Sequence, residues 1–310
     1  MPVTAQADDR PDATSVLLPG PWTHRDISAN GVRLHAAEAG EGPLILLLHG
    51  FPQFWWTWRA QLAALAAAGF RAVAPDLRGY GASDKPPRGY DLPTLSADVA
   101  ALVRALGERE AVVVGHDWGG LLAWTTAVLH PRSVRRLVVL STAHPRQLRS
   151  AFGDRGQRRA LRYALRYQLP RLPERGLTRV DDDPVAELMR NWSGPDWLHT
   201  ADFAEAVDRY RAAARIPQAA YGAMEYYRWA GRSQLRPDGL RYARRMSAAI
   251  AAPTLQLHGT VDRCVLVGTA RGSGRYVDGP YEWRELPAVG HFLPEEAPDE
   301  VSRAIADWAS

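Results

Sequence analysis

The chain has 310 residues, 46% of them hydrophobic, with 38 basic against 34 acidic side chains. That length and apolar content support one large α/β core or two lobes. Lys85 is the only lysine and the arginines are mostly interspersed with acids and apolar residues, so a pI near 9.4 does not by itself carry a nucleic-acid reading; the single Cys264 excludes an intrachain disulfide and a cysteine-built metal site.

In chain order, the polar, proline-bearing start has neither the charged opening nor the apolar stretch of a signal peptide, and residues 1–20 read as a disordered tail. "VRLHAAEA" and "PLILLLHG" read as strands, the second apolar enough to be buried on both faces. "FWWTWRAQLAALAAAG" reads as a helix ended by Gly69. "RAVAPD" is a short strand before a Gly/Pro-rich loop from Leu77 to Gly89. "LPTLSADVAALVRALG" is a helix with Pro93 near its start and Gly107 at its stop. "AVVVGHD", a helix from Gly119 to Leu129 and the strand "VRRLVVLS" follow. Strands separated by helix-length segments predict a mostly parallel sheet with helices on both faces.

From about 145 to 245 no buried strand is legible, and helical spacing is common. The run from Arg146 to Arg179 reads as a solvated helical face, with phosphate or membrane-surface binding as the alternative. The sheet pattern returns with "APTLQLHG" and "YEWRELPA", then the helix "PDEVSRAIADWA". The expected organisation is a core over 21–144 and 246–310, with a helical cap over 145–245 above the carboxyl ends of the strands, where open α/β sheets bind ligands. No apolar run approaches the ~20 residues of a membrane span, and a soluble, cytoplasmic protein is expected.

The stretch Gly115-His116-Asp117-Trp118-Gly119 fits a strand-to-helix elbow that carries a nucleophile. An N-cap aspartate is the plainer alternative. A carboxylate is ionised at neutral pH without a base and attacks saturated carbon, forming an ester. Its substrates are therefore electrophilic alkyl carbons with a leaving group, epoxides and alkyl halides first. Hydrolysis of the ester needs a base and a group to orient it. His291 follows the last expected strand and Asp262 the one before, in the chain order nucleophile, acid, histidine. The tetrahedral intermediate needs two N–H donors, expected from Trp118 and from Phe51 in the loop His49-Gly50-Phe51-Pro52, whose X-Pro bond is a candidate for cis.

Together, His-Gly-Phe-Pro at 49–52, "DLRGYGASDKP" from Asp76, Gly-His-Asp-Trp-Gly-Gly at 115–120, Asp262 and His291 resemble the epoxide hydrolases of the α/β-hydrolase superfamily, from about Trp22 to the C-terminus. The resemblance implies two cap tyrosines that hold the epoxide oxygen. "EYYRWAGRS" is similar to the second such site, with Tyr227 in the role and Tyr226 as alternative; "RYALRYQLPRLPE" is similar to the first, with Tyr163 or Tyr167. It also implies an apolar epoxide as the small-molecule partner and no cofactor, and is compatible with a homodimer. Neither a dinucleotide fingerprint nor a metal-ligand spacing is present. His49, Pro52, Phe292, Met224, Trp118 and Trp192 are expected around the substrate from their positions. Haloalkane dehalogenases share the elbow and triad but need halide donors, and Phe51 stands where many carry asparagine. Fluoroacetate dehalogenases usually carry arginine at the place of Trp118. A non-catalytic binding protein on the same fold is the remaining alternative.

Overall fold

A computed structural model describes residues 10–179 and 183–310. Eight strands form one sheet: β1 (Thr23–Ala29), β2 (Val32–Ala39), β3 (Leu44–Leu48), β4 (Arg71–Pro75), β5 (Ala111–His116), β6 (Val134–Leu140), β7 (Thr254–Gly259) and β8 (Tyr281–Leu286). Their spatial order is β1-β2-β4-β3-β5-β6-β7-β8. β2 runs antiparallel to β1 and β4, and the other pairs are parallel. This is the mostly parallel sheet expected from the alternation of strand and helix patterns, and the α/β-hydrolase fold that the resemblance implies.

The centre of the sheet explains itself from composition. Leu44–Leu48 and Ala111–His116 are buried at every position, as strands covered on both faces must be. Helices α1 (Arg59–Ala67), α2 (Leu92–Ala105) and α3 (Trp118–Leu129) and the terminal helix Pro298–Ala309 cover the sheet. Asp91 caps α2 by accepting from the Thr94 N–H at 2.8 Å.

Three expectations are corrected. The helix read from "FWWTWRAQ" opens as a 3-10 turn, Trp55–Trp58, and becomes α-helical at Arg59. β1 was not legible, because only two of its seven residues are buried and the rest are polar or small. Of the segment expected to be a disordered tail, residues 1–9 lie outside the described residues. Ala13–Val16 form a 3-10 turn, and Val16 is buried with its carbonyl accepting from Trp55 Nε1 at 2.8 Å.

The segment between β6 and β7 is helical throughout its described part, its longest helices being Ala201–Arg215 and Ala219–Arg232. Among the described residues no helix is long and apolar enough to cross a membrane. The loop after β4 is held by Asp76. This buried carboxylate accepts from His35 Nδ1 at 2.8 Å, the Ala82 N–H at 2.8 Å and the Trp55 N–H at 3.0 Å. Arg78 in the same loop forms a buried two-point pair with Asp98, both contacts 2.7 Å. The "DLRGYG" stretch is thus spent on holding loops.

Candidate active site

The loops after β3, β5, β7 and β8 converge at the carboxyl edge of the sheet and bring Phe51, Asp117, Asp262 and His291 together. Asp117 sits between β5 and α3 with φ 51° and ψ −116°, a conformation costly for a residue with a Cβ. The surrounding glycines permit it by letting backbone approach. A Cβ on Gly115 would lie 2.2 Å from the Gly119 carbonyl oxygen, and one on Gly119 would lie 2.2 Å from that of Leu48. Gly119→Ala must therefore displace backbone. We expect it to cost ~3 kcal/mol or more and to lower the melting midpoint by ~6 °C. Gly268→Ala, where a Cβ meets nothing within 4 Å, should leave the midpoint unmoved; equal thermal melts for the two variants would refute the packing account.

Asp117 Oδ1 accepts from the Phe51 N–H at 2.8 Å. The Phe51–Pro52 peptide is cis. The other expected donor, the Trp118 N–H, opens α3 and makes no bond with either Asp117 oxygen. Oδ2 lies 3.5 Å from His291 Nε2, an ion-pair contact too long for a good hydrogen bond. His291 Nδ1 lies 2.9 Å from Asp262 Oδ2, while Asp262 Oδ1 accepts from the Cys264 and Val265 N–H groups at 2.7 and 3.0 Å.

Burial disfavours charge on His291, but Asp262 and Asp117 on either side outweigh it and push its pKa up to about 10. Burial would raise the Asp117 carboxyl; the neighbouring His291, His116 and the Phe51 N–H overcome that and hold it below the usual carboxylate range. The resting pair is therefore a carboxylate beside an imidazolium.

Two cap tyrosines overhang this pair. Tyr227 packs edge-on against Trp118 and Phe51, ring centroids 4.9 and 5.4 Å away, and its buried hydroxyl has no hydrogen-bond partner among the described residues. Tyr226 points elsewhere and donates to the Arg78 carbonyl at 2.9 Å. The Tyr163 hydroxyl lies 3.5 Å from Cys264 Sγ, and that sulfur falls within 4.8 Å of ligand atoms of both Asp117 and His291. Tyr167 packs 5.0 Å from the Tyr227 ring and 5.4 Å from the Tyr163 ring. Burial pushes the Tyr163 and Tyr227 hydroxyls well above their ordinary pKa, so both keep their protons at neutral pH.

A cavity of about 230 Å³ opens within the cap, lined by Tyr163, Tyr167, Trp192, Leu172, Leu177 and Leu188, with Arg166, Glu187 and Asn191 adding polar groups. Trp192 joins it to the site, its ring 5.2 Å from that of His291. Phe292 is fully buried behind His291, ring centroids 5.4 Å apart. Three expected substrate contacts are placed differently. His49 is buried with both ring nitrogens spent: Nδ1 donates to the Gly50 carbonyl at 2.9 Å, and Nε2 accepts from the Leu77 N–H at 3.0 Å. Met224 is fully buried and does not line the cavity. Pro52 lines a separate gap only large enough for about one water.

No local pattern of residues marks the polar chain beneath the site. His116 bridges Gln53 Oε1 at 2.9 Å and the His291 carbonyl oxygen at 2.7 Å. Gln53 donates to Glu295 at 2.6 Å, and Glu295 accepts from Arg59 at 2.8 Å and Tyr210 at 2.6 Å. Burial and the charge on His291 lower the His116 pKa to about 4. Glu296 holds the base loop by accepting from the Gly290, Phe292 and Gly194 N–H groups at 2.7, 2.8 and 2.8 Å.

Comparison with known proteins agrees with this fold. The sequence pattern of the family described as alpha/beta hydrolase fold matches residues 43–298. "Epoxide hydrolase 3" of Siraitia grosvenorii is 39% identical over 92% of this chain and 97% of its own length. "Epoxide hydrolase A" of Mycobacterium tuberculosis is 31% identical over 93% and 98%. The crystal structure of Epoxide Hydrolase A from Mycobacterium thermoresistibile superposes with a TM-score of 0.78 at 31% identity, covering 93% of this chain and 98% of that one. With that match across the core and relatives aligned over nearly their whole length, the chain belongs to the α/β-hydrolase family of enzymes, among relatives named epoxide hydrolases.

Proposed function

We propose that this protein hydrolyses an apolar epoxide to a vicinal diol through an alkyl ester on Asp117. One observation carries the reading: an ionised carboxylate on a strained elbow lies near enough for its charge to help raise the pKa of Tyr227, whose buried, protonated hydroxyl has no partner among the described residues. A carboxylate can open an epoxide ring only if the leaving oxygen is polarised or protonated, because a free alkoxide leaves poorly. Tyr227 and Tyr163 supply that help from the cap side, while Asp117 attacks from the sheet side.

The two oxygens of Asp117 have separate parts. Oδ1 already sits on the Phe51 N–H and becomes the ester carbonyl. Oδ2 attacks one ring carbon, the C–O bond of the ring breaks, and a tyrosine proton passes to the released oxygen. With Asp117 now a neutral ester, the His291 imidazolium gives up its proton, which restores the tyrosine hydroxyl; neutral His291, oriented by Asp262, then takes a proton from water, and the hydroxyl adds to the ester carbonyl carbon. The Phe51 N–H stabilises the oxyanion, and the Trp118 N–H joins it when the intermediate forms. Collapse breaks the acyl–oxygen bond, the leaving alkoxide takes the proton of the new carboxyl group, and the diol departs with Oδ2 on the attacked carbon, leaving Asp117 a carboxylate beside the His291 imidazolium. Aryl or alkyl substituents fit between Trp192, Leu172, Leu177 and Leu188, so a substituted apolar epoxide should turn over faster than a small anionic one.

A single turnover in heavy-oxygen water tests the scheme. The first-turnover diol should carry unlabelled oxygen from Asp117, and the label should appear in the Asp117 carboxylate. Label in the first diol would mean direct attack by water and would overturn the ester mechanism.

A further inference from the structure

The catalytic reading leaves one feature of the chain unused, the arginine-rich start of the cap. Between Arg146 and Arg175 nine arginines stand against two acids, Asp154 and Glu174. All nine arginines are exposed. Among the described residues none of them forms an ion pair, because Glu174 is taken by Arg228 at 2.6 Å and Asp154 accepts from the Gln157 N–H at 2.7 Å. The same segment carries Phe152, Leu165, Leu169 and Leu172, exposed by 49, 71, 47 and 48%. These are half of the eight large hydrophobic side chains exposed among the described residues. A solvated helical face accounts for the charge but not for leucines left in water between the arginines.

We propose that this part of the cap is a docking surface for an anionic phospholipid membrane. Unpaired arginines suit a surface of phosphate headgroups, and interleaved leucines suit the headgroup–acyl boundary just beneath it. A nucleic acid would satisfy the arginines and leave the leucines wet. A second copy of this chain would set nine unpaired positive charges against nine more. The position adds a use: Arg166 and Leu172 belong to this surface and also line the cap cavity, together with Tyr163 and Trp192. Docking there turns the cavity mouth toward the lipid, where an apolar substrate concentrates. That last clause rests on the epoxide reading; the docking itself does not.

The test is cosedimentation of the full-length protein with phosphatidylcholine vesicles, with and without phosphatidylglycerol. The protein should pellet only with the anionic vesicles and should be released at ~0.5 M salt. Arg155→Gln, Arg159→Gln and Arg162→Gln combined should weaken partitioning ~100-fold. Leu165→Ser with Leu169→Ser should weaken it ~10-fold. None of these side chains lines the cavity, so melting midpoints and turnover of a water-soluble epoxide should match the parent. Failure to pellet with anionic vesicles overturns the proposal. So does parent-like pelleting of the leucine pair together with salt-sensitive binding to duplex DNA, which would make the surface a general polyanion site. If the protein pellets as expected but turns over no epoxide, docking stands and the catalytic reading falls.

Discussion

His291→Gln should accumulate a covalent adduct on Asp117 and lose steady-state turnover by ~10³-fold or more. The reason lies in the division of labour between the residues. Asp117 is an anion without help from a base, so attack survives the substitution, whereas hydrolysis of the ester does not. Intact-protein mass spectrometry should find a gain equal to the whole mass of the epoxide, because its oxygen stays on the new alkyl group. A haloalkane would add its mass less one molecule of hydrogen halide. An adduct seen only with haloalkanes, or none with either, would refute the assignment.

The same geometry fixes the direction of the pH dependence. In the resting enzyme Asp262 and Asp117 overcome burial and push His291 up to about 10, so it is protonated at neutral pH. Alkylation turns Asp117 into a neutral ester and removes one of those two anions. His291 then sheds its proton more readily, at the step that needs a base. Ester hydrolysis should therefore slow as pH falls, while ester formation continues until Asp117 itself takes a proton, below the usual carboxylate range. Rapid quench of the parent enzyme should show a larger steady-state fraction of adduct at acid pH. A fraction that shrinks on acidification would reverse the proposed roles.

The second large effect is expected from Tyr163→Phe combined with Tyr227→Phe. Removing both hydroxyls leaves the nucleophile and base in place and takes away every proton donor proposed for the epoxide oxygen. The rate of alkylation by an epoxide should fall by ~10³-fold or more, with the melting midpoint close to that of the parent. A halide-derived adduct, which needs no proton, should form at an undiminished rate. The single variants rank the two hydroxyls. Tyr227 has no competing partner, whereas Tyr163 shares its hydroxyl with Cys264, so Tyr227→Phe should be the more damaging. Alkylation by epoxides at the parent rate in the double variant would remove both tyrosines from the mechanism.

The grouping of the candidate site's residues is legible in sequence because chemistry ties residue types to strand ends. A carboxylate between close-packed glycines, an aspartate after β7 and a histidine after β8 are local signals, and the sheet brings them together. The cap tyrosines show where such reading stops. Tyr226 and Tyr227 are neighbours on one helix and point about 100° apart, so only the folded chain shows which hydroxyl is spent on Arg78. Tyr163 and Tyr167 are four residues apart and their rings lie together, so spacing alone cannot separate them. The chain from His116 through Gln53 to Glu295 joins residues 63 and 242 positions apart and leaves no periodic trace. Cys264 was legible only as a missing disulfide partner, although its sulfur lies beside the reacting groups.

The placement of the cap has an evolutionary consequence. The chain leaves the sheet at Leu140 and rejoins it at Thr254, on strands hydrogen-bonded to each other, with Leu137 opposite Thr254. Because these strands are parallel, the chain leaves at the carboxyl edge and must return to the amino edge, so the excursion closes over no more than the length of a strand. Doubling the length of such a loop adds only about 0.6 kcal/mol of closure entropy. A lineage can therefore lengthen, shorten or replace this insert while the nucleophile, its orienting acid and the sheet stay as they are. What any replacement must supply is a short set of contacts: the Trp192 carbonyl that accepts from the His291 N–H at 2.9 Å, the Gly194 N–H and Tyr210 hydroxyl that donate to Glu296 and Glu295, and a hydroxyl donor for the substrate oxygen. Breadth of substrate and the power to hydrolyse are in this sense inherited separately, and the first can drift while the second is held.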